Sequence, residues 1–527
     1  MTPPRAGQRV PRVNAHRHPP APRNSPPSRR VLRPRGWPLL ALCAVVLAPA
    51  TRAQDLASFE KRLTQHRLAN GLTFLIYERP VAPVVSFYTY VDAGSAQEVP
   101  GITGLAHMFE HMAFKGTQHV GTSDYAAEKV ALDEVDRAYH AYDQERRKLG
   151  GPNPERLKAL EKAWKDAQEE AGKYVVRNEF GDIIEREGGV GLNAMTASDD
   201  TVYFYSLPAN KLELWAYLES ERFLDPVLRE FYKERDVVME ERRLSVDSQP
   251  IGRLIEQFGL SAFEAHPYKQ PAIGFMCDLL CFSREDAEQF RKTYYVPANI
   301  YIGIVGDVKV EAIIPILERY FGRLPAAEPP PPLRTVEPPQ IVEREIRLPD
   351  KSQPIYLEGY HKPAITDPED AVYKAIADLL SNGRTARLYR DLVRDKKIAV
   401  QAGAFPGYPG AKYPNEMIFY GVPTPGHSNQ EVQEAIRAQI KKLQQELVTE
   451  DELKMVKTRA KAGLIRGLAS NSGLAGALAR NQALFGDWRE LFRSVDKIDK
   501  VSREDIQRVA RRAFVPTNRT VAMIVNY

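Results

Sequence analysis

The chain has 527 residues, of which 43% are hydrophobic, so it is long enough to bury more than one hydrophobic core. Its 73 basic and 68 acidic side chains leave a formal net charge of only +5, and no basic patch indicates a nucleic-acid partner. These figures favour a globular protein of two or more domains and exclude nucleic-acid binding from the leading functions.

Residues 1–53 contain ten arginines, no acidic residue and an apolar run over 37–50. The run is too short to cross a bilayer comfortably and ends in small residues at 51–53, which predicts a secretory signal peptide cleaved before Gln54. We expect export, in a bacterium to the periplasm. Arg29-Arg30 faintly resembles a twin-arginine signal, and an Arg-rich leader also fits import into the mitochondrial matrix. Without the leader, 63 bases face 68 acids and the net charge becomes −5.

The first predicted elements of the mature chain are strands. Asn70-Gly71 is a strong turn signal, and residues 72–77 and 84–91 are rich in β-branched and aromatic side chains. The pattern predicts a hairpin and a following strand.

A short helical stretch after these strands carries the motif His107-Met108-Phe109-Glu110-His111. Residues four apart project from one face of a helix, so the His107 and His111 imidazoles converge on a single ion, unless they are only a surface pair. Zinc held by two imidazoles and one carboxylate keeps a position open for water and lowers that water's pKa, and Glu110 is placed to take the proton. The order H-x-x-E-H is that of the inverzincins.

Two charged amphipathic segments follow over residues 125–177, separated by Gly and Pro at 150–154, which predicts an antiparallel helical hairpin. Strand character resumes over 188–207. Cys277 and Cys281, four apart, are predicted to be buried thiols because helical spacing strains a disulfide, although an oxidising compartment would allow them to pair.

A third zinc ligand is expected from the acid-rich helix 229–246. Glu234 and Glu241 are seven residues apart and share a face of this helix, whereas Glu240 is turned about 100° from Glu241. Spacing alone does not decide between Glu240 and Glu241.

An internal repeat divides the chain. Ser283-Arg284-Glu285-Asp286 leads to Pro297 and a strand, and Ser502-Arg503-Glu504-Asp505 leads to Pro516 and another strand at the same spacing. Each Ser begins a helix in a capping box. We therefore predict two copies of one domain, residues 54–324 and 341–527, joined by a Pro-rich semi-rigid linker at 325–340.

The metal motif and its flanks carry a family resemblance. Residues 91–95 (VDAGS) and 104–117 (GLAHMFEHMAFKGT) resemble the pitrilysin, insulysin and mitochondrial processing peptidase family, in its short two-domain subunit type. The resemblance implies an α+β fold of two homologous α/β sandwich domains, each an antiparallel-rich sheet covered by helices. It also implies a zinc metalloendopeptidase with one zinc per chain, which hydrolyses extended or unfolded peptides in a closed chamber.

The resemblance further assigns roles to single residues. It places Glu241 on the metal and Glu234 in a supporting role, and it identifies the 125–177 hairpin as an insertion in the first domain. It also makes the strand around residue 193 a sheet edge where Asn193 and Ala194 contact the peptide. An ordinary core strand with a polar Asn at a bend fits that sequence equally well.

The sequence departs from the family at one pair of substrate-binding residues, and this departure suggests a partner subunit. The family uses an Arg and a Tyr seven apart to hold the substrate carbonyl; Arg394 fits the Arg, but Val400 or Gln401 stands where the Tyr is expected. We therefore expect a heterodimer in which a homologous subunit supplies the Arg/Tyr pair, or alternatively a homodimer. The rival functions are a non-catalytic scaffold subunit and a peptide-binding subunit that holds zinc structurally.

Overall fold

The computed structural model describes residues 56–526, so the predicted signal peptide, 1–53, lies outside the described residues. The fold is α+β, as the sequence predicted, with two mixed sheets covered by helices. Within the described residues, no helix combines the length and apolar composition that crossing a membrane requires.

The N-terminal half, residues 56–324, contains the first sheet. Its strands are β1 (Leu63–Arg67), β2 (Thr73–Glu78), β3 (Val84–Val91), β4 (Val190–Thr196), β5 (Thr201–Pro208) and β6 (Ile300–Gly306). Their order is β1-β2-β6-β3-β5-β4, so β4 is an edge strand. The predicted hairpin and the strand that follows it are β1, β2 and β3.

The C-terminal half, residues 341–526, contains the second sheet. Its strands are β7 (Arg344–Pro349), β8 (Ile355–Lys362), β9 (Ala399–Tyr408), β10 (Asn415–Pro423) and β11 (Arg519–Val525), in the order β7-β11-β8-β10-β9. In each sheet the last strand along the chain, β6 or β11, pairs parallel with one neighbour and antiparallel with the other. Apart from β1, which has no counterpart in the second sheet, the two sheets thus share one connectivity, as the sequence repeat leads us to expect, and the edge strand β9 corresponds to β4.

Helices cover both sheets. Those of the N-terminal half are α1 (Leu56–Glu60), α2 (Leu105–Met112), α3 (Tyr125–Arg146), α4 (Pro154–Gly172), α5 (Glu179–Arg186), α6 (Leu212–Leu224), α7 (Phe231–Arg242), α8 (Pro250–Ala262), α9 (Met276–Leu279), α10 (Arg284–Tyr294) and α11 (Val310–Phe321). Those of the C-terminal half are α12 (Asp370–Ser381), α13 (Asn429–Gln445), α14 (Glu450–Gly467), α15 (Asn471–Phe485), α16 (Glu490–Asp499) and α17 (Arg503–Ala513).

Local sequence signals explain several of these boundaries. Ser283 and Ser502 begin α10 and α17 in capping boxes with Asp286 and Asp505. Residues 325–340 contain neither helix nor strand. Cys277 and Cys281 are free thiols, but the predicted burial was wrong, because Cys277 is exposed and Cys281 only partly buried.

The predicted helical hairpin consists of α3 and α4, which pack against each other. Its inner face carries Leu132, Tyr139 and Trp164, which are buried in the main core of the N-terminal half. The rings of Tyr142 and Trp164 stack at a centroid distance of 5.2 Å. The hairpin is therefore part of the core and not a solvated spacer.

Each half contributes one helix to the sheet of the other half. Helix α8 packs on β7 and β11, where Leu254 and Phe258 join a cluster with Ile524. Helix α15 packs on β3 and β6, where Leu478 joins a cluster with Leu75. This exchange buries apolar surface of both sheets across the two halves.

Candidate active site

The helix that carries the two histidines is held at its N-terminus by carboxylates. Glu98 accepts hydrogen bonds from the backbone N–H groups of Gly104 at 2.8 Å and Ala106 at 2.7 Å. Asp278 accepts one from the hydroxyl of Thr103 at 2.6 Å. Carboxyl oxygens that accept from the free N–H groups stabilise a helix N-terminus, although burial raises the pKa of Glu98 to about 8. Gly104 takes a left-handed conformation there with φ 91°. Helix α2 therefore starts at a fixed point, and its histidines are fixed with it.

His107, His111 and Glu241 converge on one point. Each offers one ligand atom, and these atoms all lie within 4.8 Å of one another. Glu241 Oε2 is 3.8 Å from His107 Nε2 and 3.6 Å from His111 Nε2. Donors about 2.0–2.1 Å from a tetrahedral zinc lie about 3.4 Å apart, and the two distances to Glu241 exceed that spacing by only a few tenths of an ångström. Three protein donors also leave a fourth position for water or substrate.

Glu234 contacts His111 at Nδ1, the ring nitrogen that does not face Glu241. Its Oε1 lies 2.9 Å from His111 Nδ1, and its Oε2 lies 2.6 Å from Lys115 Nζ. Burial alone would raise the pKa of Glu234, but the hydrogen bonds from His111 and Lys115 outweigh it and lower the pKa to about 2. The anionic carboxylate orients the ring so that Nε2 faces the ligand cluster.

His107 is held in the neutral form that binds metals. Burial, followed by the neighbouring His111, lowers its pKa to about 4. Its Nδ1 is buried and has no hydrogen-bond partner among the described residues. Its Nε2 is the atom that faces Glu241.

Glu110 is anchored beside the ligand cluster. Its Oε2 accepts a hydrogen bond from the hydroxyl of Thr196, the last residue of β4, at 2.6 Å. Burial raises the pKa of Glu110, although the bond from Thr196 opposes this shift. A carboxylate whose pKa is raised toward neutrality is a better general base at physiological pH.

Arg229 joins the segment before helix α7, which carries Glu234 and Glu241, to α3 and to the loop that follows α2. Its guanidinium donates to Glu128 Oε1 of α3 at 2.7 Å and to the carbonyls of Thr117 and Val120 at 2.7 and 2.9 Å. Arg229 and Glu128 are buried, so the ion pair is shielded from water. The next residue, Glu230, has φ 55°, a left-handed conformation that is uncommon for a residue other than glycine.

A cavity of about 440 Å³ opens beside the cluster, between α2, β4, the chain that leaves the helical hairpin and the start of α7. It is lined by Glu110, His111, Phe114, Lys115, Val175, Val176, Arg177, Asn178, Asn193, Ala194, Arg229, Glu230 and Glu234. Asn193 and Ala194 lie on the edge strand β4 and line this cavity together with Glu110.

The remaining predicted residues lie apart from this cluster. Arg394 is exposed, bonds to Asp395 at 2.6 Å and does not line the cavity. Glu240 is exposed and pairs with Arg243 at 2.9 Å. The structure therefore brings Glu241 and not Glu240 to the histidines, and it does not bring Arg394 there within this chain.

Sequence reasoning missed four residues of the site: Glu98, Lys115, Thr196 and Arg229. Each acts through a contact between segments that are distant in the chain, except Glu98, which lies a few residues before α2. The burial of Arg229, which requires a partner for its charge, is known only from the structure and has no signal in the sequence.

Two segments of the chain match family profiles. Residues 73–144, which include both histidines, match the profile of the insulinase family, peptidase family M16. Residues 282–460 match the profile of the peptidase M16 inactive domain. The chain belongs to peptidase family M16. Its zinc motif lies in the segment that matches the insulinase profile, and the inactive-domain match begins after Glu241.

Relatives of this M16 protein span nearly its whole length. It is 27% identical to zinc protease PqqE of Helicobacter pylori over 499 residues, which cover 92% of this chain and 98% of PqqE. It is 22% identical to the mitochondrial-processing peptidase subunit beta of Lentinula edodes, over 84% of this chain and 86% of that one. The crystal structure of a protease from Helicobacter pylori superposes with a TM-score of 0.73 at 26% identity, covering 88% of this chain and 99% of that chain.

Proposed function

We propose that this M16 protein is a zinc-dependent endopeptidase in which His107, His111 and Glu241 hold one zinc ion per chain. The observation that carries the proposal is the convergence of three ligand atoms within 4.8 Å, on the helices α2 and α7. Arg229, just before α7, is bonded to the loop that follows α2. Glu234 keeps the His111 ring in register and its Nε2 directed to the metal.

Zinc, when bound, supplies a Lewis acid that polarises the scissile carbonyl and makes water more acidic. The chain's own base is Glu110, which accepts the proton from the attacking water and hands it to the leaving amine. Thr196 holds the Glu110 carboxylate in place. His107, neutral because it is buried, has its lone pair available for the ion.

We infer that the substrate is an extended peptide that pairs with the free edge of β4, as in β-augmentation. This edge ends at Thr196, next to Glu110, and its Asn193 and Ala194 line the cavity beside the base. The Asn193 carboxamide accepts a hydrogen bond from Ala194 N at 2.9 Å, so it turns away when a peptide carbonyl takes that N–H group. An extended strand is required, which favours unfolded substrates.

We further propose a two-subunit chamber, because Val400 or Gln401 stands where the tyrosine is expected and Arg394 lies outside the cavity. A homologous partner would supply the Arg/Tyr pair in a heterodimer; a homodimer with another donor is the alternative. With the predicted leader, we place the protein outside the cytoplasm, in the bacterial periplasm, with the mitochondrial matrix as the alternative.

A second candidate function is a non-catalytic scaffold or peptide-binding subunit, which the match of residues 282–460 to an inactive domain favours. The paired ligand and base residues of the N-terminal half favour catalysis instead. Zinc content and peptide cleavage together separate the two candidates.

The test is the substitution Glu110→Gln. It leaves the three ligands intact, so we expect the variant to keep one zinc per chain but to lose cleavage of an unstructured peptide by at least about 100-fold, the usual contribution of a general base. Cleavage is measured with the protein isolated from its native source, so that any partner is present. Turnover at the wild-type rate would remove Glu110 from its role, and a wild-type protein that binds zinc without cleaving peptide would favour the second candidate.

A further inference from the structure

The turn between β4 and β5, residues 197–200, is held by the C-terminal half of the chain. Asp199 in this turn is buried, and one of its carboxylate oxygens accepts from the backbone N–H groups of Ala411 at 2.6 Å and Lys412 at 3.0 Å. The other oxygen accepts from the hydroxyl of Tyr268 at 2.5 Å. One buried side chain therefore joins the turn to a loop of the second sheet.

We call residues 409–413, between β9 and β10, the latch loop. Besides its contacts with Asp199, the latch loop places Lys412 Nζ 2.6 Å from Asp92 Oδ2. Gly410 has no room for a side chain, because a Cβ would lie 2.5 Å from the Tyr268 hydroxyl and 2.6 Å from Asp199 Oδ2. The loop thus fits closely over the turn.

The sequence motif at residues 91–95 holds the turn from the other side. Ser95 N donates to Ala197 O at 3.1 Å, and the adjacent Ala96 N donates to Ser198 O at 2.9 Å. A Cβ on Gly94 would overlap the Ala197 carbonyl, so only glycine allows this approach. The turn is clamped between the motif and the latch loop.

The residue that enters this turn is Thr196, whose hydroxyl donates to Glu110 at 2.6 Å. We propose that Asp199 is a positioning residue: through it, the latch loop of the C-terminal half sets the place of Thr196 and hence of the Glu110 carboxylate. The inference rests on the proposed function in so far as Glu110 is the base. By this inference, the C-terminal half, which carries no zinc motif, helps to align the candidate active site of the same chain.

Turnover tests the positioning role. Asp199→Ala removes the acceptor of three hydrogen bonds, and we expect kcat to fall about 10-fold with KM and zinc content within about 2-fold, since small misplacements of a catalytic group are costly. Asp199→Asn should restore most of kcat, because its amide oxygen still accepts from the two N–H groups and its NH₂ group donates to Tyr268. In a Thr196→Val background, Asp199→Ala should have no further effect on kcat.

The matched control is Asp200→Ala. Asp200 is a buried acid in the same turn, but its carboxylate accepts from Tyr90 at 3.1 Å and has no hydrogen bond to the latch loop. We expect its kcat to remain within about 2-fold of the wild-type value. An equal loss in Asp199→Ala and Asp200→Ala, or a full loss from Asp199→Ala in the Thr196→Val background, would overturn the proposal.

A readout without turnover separates this inference from the proposed function. Gly410→Ala substitutes a residue of the latch loop alone, and its Cβ would push the loop away from Asp199 and Tyr268. We therefore expect amide hydrogen exchange over residues 190–201 to accelerate at least about 10-fold. Gly463→Ala, in open space on α14, is the control and should leave exchange unchanged. Unchanged exchange in Gly410→Ala overturns the positioning role even if the chain cleaves peptide. Accelerated exchange in a chain that cleaves nothing supports the coupling and rejects the peptidase proposal.

Discussion

Glu234 illustrates how single charges shape this site. It contacts a proposed ligand on one side and Lys115 on the other, so its negative charge is matched and its pKa falls to about 2 although burial opposes the shift. Glu110, in contrast, has a neutral hydrogen-bond donor in Thr196, and burial raises its pKa. The pKa values of two acids close to the same histidine are thus shifted in opposite directions. Glu234 stays charged, whereas the shift of Glu110 suits the proton transfer that we propose for it.

The first residue-scale prediction concerns Glu234→Gln. The amide keeps the shape of the side chain but removes the charge that orients His111, so zinc affinity should fall about 10–100-fold, the usual effect of losing such a supporting group. Metal affinity is measured by competition with a chelator. Glu240→Gln, an exposed acid on the same helix, is the control and should bind zinc as the wild type does. Wild-type affinity in Glu234→Gln would contradict the supporting role.

At this scale, the sequence predicted the histidines and Glu110 because their spacing is local. It did not choose between Glu240 and Glu241, since both lie on one helix and only the packing of α7 against α2 decides. Thr196 and Arg229 could not be predicted, because their partners lie more than 80 residues away in the chain.

Among the elements, helix boundaries were predictable where a capping residue marks them. The Ser283 and Ser502 capping boxes identified α10 and α17, and Gly and Pro at 150–154 separated α3 from α4. The burial of the hairpin was harder to predict from the sequence, because its inner aromatic residues pack on α7 and the loop before α10. The π-helical stretch Tyr389–Asp395, which carries Arg394, has no sequence signal that we recognise.

Helix α14 provides a prediction at the scale of elements. Glu452 in its capping box accepts two hydrogen bonds from Arg387, at 2.8 and 2.6 Å, and these bonds help to lower the Glu452 pKa to about 2. A carboxyl whose folded pKa lies below its unfolded value of 4.5 stabilises the fold above about pH 4.5, and that stabilisation is lost as the pH falls toward 2.

We therefore expect Glu452→Gln to lower the free energy of unfolding by about 1–2 kcal/mol at pH 7. The difference from the wild type should shrink as the pH falls from 5 to 3. Denaturant unfolding at several pH values measures it on the metal-free protein, so that zinc release does not contribute. A difference that stays constant over this range would contradict the assigned ion pair.

On the scale of the whole molecule, the exchange of α8 and α15 joins the two halves into one cooperative structure. The repeat predicted two domains of one fold, and the shared connectivity of the sheets agrees with that prediction. It did not predict that each sheet is covered by a helix of the other half, because a hydrophobic pattern identifies a buried face without naming what buries it. The proposed boundaries at 324 and 341 divide the chain according to its repeat, but buried clusters contain residues from both sides of them.

A whole-molecule prediction follows for Phe258→Ala. Phe258 belongs to the N-terminal half but is fully buried against the second sheet. The truncation should cost about 3–5 kcal/mol, the usual range for a buried Phe. Because the halves share their cores, calorimetry should show one transition at a lower temperature. Two separate transitions, with only one of them shifted, would contradict the cooperative account.

The measurement that tests the central claim most directly is the zinc content of the purified protein and of two single variants. The ligand geometry predicts one zinc per chain in the wild type and in Glu240→Gln, and less than about 0.1 in Glu241→Gln after dialysis against a weak chelator. Full zinc content in Glu241→Gln, or its loss in Glu240→Gln alone, would contradict the account.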